Sequence, residues 1–301
     1  MAGPTAAGWT VPELTPERCD YTDCQLIQQK LAEDGYAVIK AVASPQELEH
    51  ARELLWENHL HNRLGWDRKD PQTWTDSPGV IDPVFPYADG IMVSSAHCEA
   101  NWYVRSLPRM IGAFAAVYGT DEIVAAYDAM SINRPTSTGA KSVQERVATV
   151  FEHGKLNGNT LHTHFDQEGY GGDELIAYGI VSLWDMNKAT GATAIVPRSH
   201  LKVAEITQYR QHNRSAQLDA FTAFGLTPAI LNCKAGDLCL FDTALYHCGC
   251  DAADPTGATG NGPDQLLRAI CICSMSPTRL LAPYPHIFEA RRRAYELDVC
   301  E

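Results

Sequence analysis

The chain opens without a basic stretch leading into an apolar run, so MAGPTAAGWTVPEL does not read as a secretory signal. Nowhere does it hold the roughly 18–20 uninterrupted apolar residues that a membrane-spanning helix needs. No internal repeat and no low-complexity tract stands out. Basic residues are in deficit, 24 Lys and Arg against 37 Asp and Glu, which leaves a formal net charge of −13. Gripping a nucleic-acid backbone takes a basic surface, so this balance weighs against that class of partner. A small anionic ligand is a different matter, because one or two local arginines suffice to hold a carboxylate. Cysteine is plentiful, ten residues, but in a chain of this size without a secretory signal it reads as reduced intracellular thiol. The pairs Cys248/Cys250 and Cys271/Cys273 are spaced C-x-C rather than the C-x₂₋₄-C usual at zinc, and are read as strand residues. The compartment expected by default is the cytoplasm.

The composition, 45% hydrophobic and 20% charged, is that of a chain able to bury a substantial core. Residues 22–34 carry Leu26, Ile27 and Leu31 at helical spacing behind a candidate cap, Thr22, and Gly35 ends them. A short strand is expected at 36–40. Ser44 with Glu47 three residues on forms a capping-box pattern for a second helix running to about His61. Residues 65–90 lose all periodicity and are rich in proline and tryptophan. Such a loop either shapes a binding site or patches the core. Residues 98–118 read as helical. Beyond Ile123 the signals are mostly strands, at 126–133, 160–165, 175–184, 193–196, 229–231, 238–241, 246–250 and 266–275, with a closing helix near 285–298. Many short strands separated by Gly, Pro and Asn suggest a mainly β fold with flanking helices: a double-stranded β-helix, or jelly roll, under an N-terminal helical layer. No linker separates the two parts. A single domain, 1–301, is expected, with helices over about 20–120 and the jelly-roll core over about 123–276.

The chemistry concentrates in Leu161-His-Thr-His-Phe-Asp-Gln. On a strand, residues two apart share a face, so His164 and Asp166 would offer an imidazole and a carboxylate to one point. Alone, H-x-D is a weak signal. His247, far downstream at the start of another expected strand, could complete a facial triad that leaves three positions open on an octahedral metal. That geometry suits Fe(II), beside which a bidentate cosubstrate and O₂ must both bind. Arg268 is the one cation in the apolar run Leu266-Leu-Arg-Ala-Ile-Cys-Ile. A buried arginine needs an anionic partner and its fork matches a carboxylate, whether that of a ligand or of a structural salt bridge.

Taken together, these segments resemble the phytanoyl-CoA dioxygenase family of Fe(II)/2-oxoglutarate oxygenases. The likeness includes the opening helix and strand, the Ile180-Val-Ser-Leu-Trp-Asp strand, and the stretch Thr190-Gly-Ala-Thr-Ala-Ile-Val-Pro-Arg-Ser-His. Arg198 stands there in place of the family's usual glycine. The motifs span most of residues 20–276 in the family's order. The resemblance implies iron ligands His164, Asp166 and His247, with Arg268 on the distal carboxylate of 2-oxoglutarate. Trp184 falls where a family tryptophan borders the cosubstrate, and Asn133 is a candidate for a polar contact to it. Were the strand after the long 250–265 insertion misaligned, Arg279 would replace Arg268. His162 is read as packing or solvent-exposed, and His200 as structural. The implied reaction oxidises an unactivated C–H of a small molecule with O₂, releasing succinate and CO₂. Hydroxylation is its default outcome; desaturation or ring formation needs the same ligands. Halogenation is argued against, since related halogenases give up the ligand carboxylate that Asp166 supplies here.

Overall fold

The computed structural model describes residues 11–70, 73–74, 91–92, 95–126, 128–133, 175–213, 217–250, 266, 268–281 and, in the closing segment, 286, 289–290, 292–293 and 296. Strands β1 (Glu13–Leu14) and β2 (Arg18–Cys19) lead into helix α1 (Cys24–Asp34) and strand β3 (Tyr36–Ile39). The cap of α1 is Asp23, whose carboxylate accepts from Leu26 N, and not Thr22. Thr22 is already engaged, its N–H and hydroxyl both donating to Asp20. Helix α2 (Pro45–Leu54) has the expected capping box, with Glu47 accepting from Ser44 N at 2.6 Å. It then widens into a π-helix, Leu55–His61, a rare form that marks a local irregularity in the hydrogen-bond ladder. The expected helix over 98–118 is two, α3 (Glu99–Arg105) and α4 (Pro108–Tyr118). Pro108 has no N–H to continue a ladder and drives Leu107 into extended backbone, which breaks the run. Strand β4 (Ile91–Met92) precedes these helices.

Strands β5 (Ile123–Ala125), β6 (Met130–Asn133), β7 (Ala177–Ser182) and β8 (Ala192–Ile195) follow. Next come two helices that strand-seeking periodicity overlooked, α5 (Val203–Asn213) and α6 (Gln217–Ala223). Strands β9 (Ala229–Leu231), β10 (Leu238–Asp242), β11 (His247–Cys250), β12 (Arg268–Ile272) and β13 (Met275–Pro277) and the short helix α7 (Thr278–Leu281) complete the named elements. Beyond α7, residues 286, 289–290, 292–293 and 296 are helical, and Arg292 pairs with Glu289 and Glu296. No helix among the described residues is long and apolar enough to cross a membrane.

Beside the two-stranded pair β13-β5, two larger sheets organise the strands: a seven-stranded one in the order β2-β3-β10-β7-β12-β6-β4 and a four-stranded one in the order β1-β9-β8-β11. They face each other as an open jelly roll, with no closed barrel among the described strands. Alternation along each strand divides the large sheet into two faces. Ala37, Ile39, Ala177, Val181, Leu238, Leu240, Ala269 and Cys271 turn outward, into one core with α1, α2, α3 and α4. Val38, Ile180, Cys239, Phe241, Ile270 and Ile272 turn inward, into a second core shared with β8, β9 and β11. The outward face also holds Gly179, where a Cβ would lie 2.5 Å from Cys273 O and 2.9 Å from Phe114 Cζ. Only a hydrogen lets α4 approach so closely. In the expected long loop, Trp66 and Trp74 are buried and ring with Trp56 at centroid distances of 6.3 and 5.2 Å from Trp74. At those residues the segment patches the core. Arg68 beside it pairs with Glu53 at 2.6 Å.

Candidate active site between the sheets

Arg268 opens β12 with the inward parity of Ile270 and Ile272, and is 1% exposed, among the largest fully buried side chains of the molecule. Charge is costly between two sheets unless it meets an anion, so its position there constrains what the space can hold. The register sets Asn133 of β6 directly opposite Arg268, and sets Ser131 and Ser182 opposite Ile270. Thus two residues singled out separately in the sequence are neighbours on adjacent strands.

His247 opens β11 and is 9% exposed. Its ring sits 4.6 Å from that of Phe241 and 6.2 Å from that of Tyr178, both on the large sheet. Nδ1 lies 2.8 Å from the carbonyl of Leu245. A carbonyl only accepts, so Nδ1 carries the proton and the ring's lone pair is on Nε2, the arrangement a metal-ligating imidazole needs. Two positions on, Gly249 shares the parity of His247 and is exposed; a Cβ there would meet nothing within 4 Å among the described residues. Tyr178 and Ser182 stand four residues apart on β7, and Arg268 lies one pair beyond Ser182. The histidine and arginine levels are thus separated by on the order of 20 Å of strand. They mark two ends of one inner face.

Trp184 is buried, but in the core beneath the helices, where the Arg52 guanidinium lies 5.0 Å over its ring. Arg52 in turn donates to Leu183 O through Nε at 2.9 Å. The chain leaves β7 just before it, so Trp184 follows the outward face although its backbone adjoins Arg268. Arg279 lies on α7, after β13 and away from the inner-facing strand positions. His200 anchors a turn, its Nε2 donating to Ala32 O at 3.1 Å. His164, Asp166 and His162 lie outside the described residues. Among the described residues no group of three or more metal-binding side chains is assembled. Cys248 and Cys250 sit on β11, Cys271 on β12 and Cys273 just past its end; burial pushes the Cys271 thiol well up and Cys273 to about 12, so those two remain thiols. Sequence reasoning missed Phe241 and Tyr178, the walls of the histidine; their inward parity on adjacent strands was the available signal.

A jelly roll with a buried histidine carrying its lone pair on Nε2 and a buried arginine of inward parity fits an iron ion and a dicarboxylate cosubstrate. His247 would hold the metal and Arg268 the cosubstrate. The chain matches the model of the phytanoyl-CoA dioxygenase (PhyH) family over residues 31–250, and it belongs to that family. It is therefore one of the enzymes that pair non-haem iron with 2-oxoglutarate. A curated relative, Ava biosynthesis cluster protein O of Aspergillus versicolor, is 27% identical over 110 residues, covering 36% of this chain and 34% of the relative. The match thus spans about a third of that protein's length. Among solved structures, GlcNAc Inducible Gene 2 of Candida albicans is similar with a TM-score of 0.52, at 14% identity over 89% of this chain and 66% of that one. AviO1 from Streptomyces viridochromogenes Tue57 has a TM-score of 0.48 at 15% identity, over 85% of this chain and 96% of its own.

Proposed function

We propose that this protein oxidises an unactivated C–H bond of a small molecule with O₂ and 2-oxoglutarate, most simply by hydroxylation, with release of succinate and CO₂. One observation carries the reading: a buried histidine and a buried arginine stand at the two ends of the inner face, about 20 Å of strand apart, a gap that the metal, the cosubstrate and the long Arg268 side chain would together span. His164 and Asp166 join His247 as iron ligands in this proposal. Among the described strands β11, which His247 opens, ends the four-stranded sheet.

Iron bound there would supply the activation of O₂. The chain's own residues do the rest. Arg268 holds the carboxylate at the far end of the cosubstrate, in two parallel hydrogen bonds that its guanidinium fork favours. Leu245 O holds the proton of His247 on Nδ1, and the Phe241 and Tyr178 rings shield that imidazole from water. Asn133, opposite Arg268, is proposed as a further polar contact to the cosubstrate, whereas Trp184, packed under the helices on the other face of the sheet, is left out of that pocket.

Desaturation or cyclisation would use the same ligands and the same space. A jelly-roll metalloenzyme with another divalent metal and no oxoacid is the second reading, and buried, inward Arg268 counts against it. The likeness to a biosynthesis-cluster protein favours a natural-product substrate. No polybasic run suggests a grip on a CoA phosphate. The nine described cysteines are all free, which favours a reducing compartment such as the cytoplasm. The helical layer and the seven-stranded sheet share one core, which supports reading 1–301 as a single domain. The test is oxygen consumption by the iron-loaded protein: it should require 2-oxoglutarate and yield succinate, whereas turnover independent of the oxoacid would remove the proposal.

A further inference from the structure

The turn Pro197-Arg198-Ser199-His200 has been given no chemistry, yet its hydrogen bonds converge on the residue before His247. Ser199 is fully buried. Its Oγ accepts the backbone N–H of Tyr246 at 2.9 Å, while Val196 N–H donates to the carbonyl of that same Tyr246 at 2.8 Å. Both backbone polar groups of Tyr246 are therefore held by one short stretch of chain. On the other side, Leu245 N–H donates to Asp242 O at 2.8 Å, and Leu245 O accepts from His247 Nδ1.

The turn is itself fixed to the helical layer. Arg198 takes a left-handed backbone, φ 67°, and its N–H donates to Asp34 O at 2.8 Å. That conformation explains why a glycine is at home in this place. His200 reaches Ala32 O at the end of α1, and a Cβ on Gly35 (φ +83°) would lie 2.5 Å from His200 Nδ1. The end of α1 thus closes directly on the turn, and the turn on the 245–247 backbone.

We propose that Ser199 is a positioning residue for His247: its hydroxyl fixes the backbone entering β11, and with it the direction in which Nε2 of His247 presents its lone pair. The inference rests on the reading of His247 as an iron ligand. A serine that merely stabilised the turn would act through global stability, as His200 does from the same turn. The groups that orient a metal ligand act instead on the metal, with losses of affinity of about 10–100-fold when removed.

The experiment is an anaerobic titration of the metal-free protein with Co(II), following the visible absorption bands, with thermal melts of every variant. Ser199→Ala is expected to weaken Co(II) binding by roughly 10-fold and to shift the bands. Ser199→Thr, which keeps the hydroxyl, restores both. His200→Ala lowers thermal stability but leaves affinity and bands at wild-type values. Wild-type Co(II) binding in Ser199→Ala overturns the proposal, as does an equal loss of binding in His200→Ala. Should Ser199→Ala fail to fold, Ser199→Cys, whose sulfur is a weaker acceptor, is read in its place, and unchanged bands there are equally fatal. His247→Ala separates the two layers of the argument: if it binds Co(II) like wild type, the ligand assignment has failed and not the positioning of it.

Discussion

The two faces of the seven-stranded sheet are made by the same strands, yet they differ in kind. On β12 the outward residues are Ala269 and Cys271, small and apolar, packed against the helical layer. The inward residues are Arg268, Ile270 and Ile272, and across the gap stand His247 and the exposed Gly249. One face is filled to contact, as the close approach of Phe114 to Gly179 shows. The other carries a buried charge and a buried imidazole. Two-residue periodicity thus lets one strand serve stability and chemistry at once, with no compromise at any single position.

Substitutions can break that division. The largest effect is expected from the proposed metal ligands, His247 of the inner face and Asp166: Asp166→Ala or His247→Ala should abolish 2-oxoglutarate turnover while circular dichroism and the thermal midpoint stay near wild type. Succinate formation at the wild-type rate in either variant would remove the proposed triad. On the outer face, Phe114→Ala should cost about 3–5 kcal/mol in denaturant unfolding, the usual toll of an aromatic cavity, with little change in 2-oxoglutarate affinity for the protein that remains folded. Arg268→Ala should weaken 2-oxoglutarate binding by roughly 30-fold or more, as for loss of one member of a buried charge pair. Fe(II) binding should change far less, and calorimetry of the two ligands distinguishes them; unchanged 2-oxoglutarate affinity would move the anchor elsewhere. Remote from both faces, Ser44→Ala should cost about 1 kcal/mol of stability by removing the cap of α2.

The smallest effect is one of pH. The Ser44 backbone N–H, then the Ser44 hydroxyl, and then the Arg109 guanidinium hold the Glu47 carboxyl below the ordinary carboxylate range. A depressed folded-state value stabilises the protein above the unfolded pKa, and that contribution disappears as pH falls through the folded one. Glu47→Gln should therefore lower stability near neutral pH slightly and flatten its decline in acid. Equal acid sensitivity in variant and wild type would show that the cap is not ionically supported.

Legibility in the sequence followed the range of the physics. Local signals held: the Ser44/Glu47 box and the αL glycine at 35 are decided within four residues. Where two local rules competed, the nearer bond won, as when Asp20 captured Thr22 and left Asp23 to cap α1. The strands β9 and β10 were placed almost to the residue. Helices α5 and α6 were not, because α5 buries only Ile206 and shows little periodicity to read. The short strands β1, β2 and β4 escaped because two residues cannot display an alternation; partners define them.

By itself, the sequence determined the class of the protein: an acidic chain, strand-rich beyond Ile123, with His247 and Arg268 at the heads of strands and the family's motifs in order. Only the tertiary structure decided which way those residues turn. Parity puts Arg268 inward and takes Trp184 to the helix side; register sets Asn133 beside Arg268; and packing brings Phe241, Tyr178 and the Ser199 turn around His247. The reason is that residue type and spacing are carried by one chain. The face a strand buries, and the neighbour it meets there, depend on partners on other elements, most of them distant in sequence.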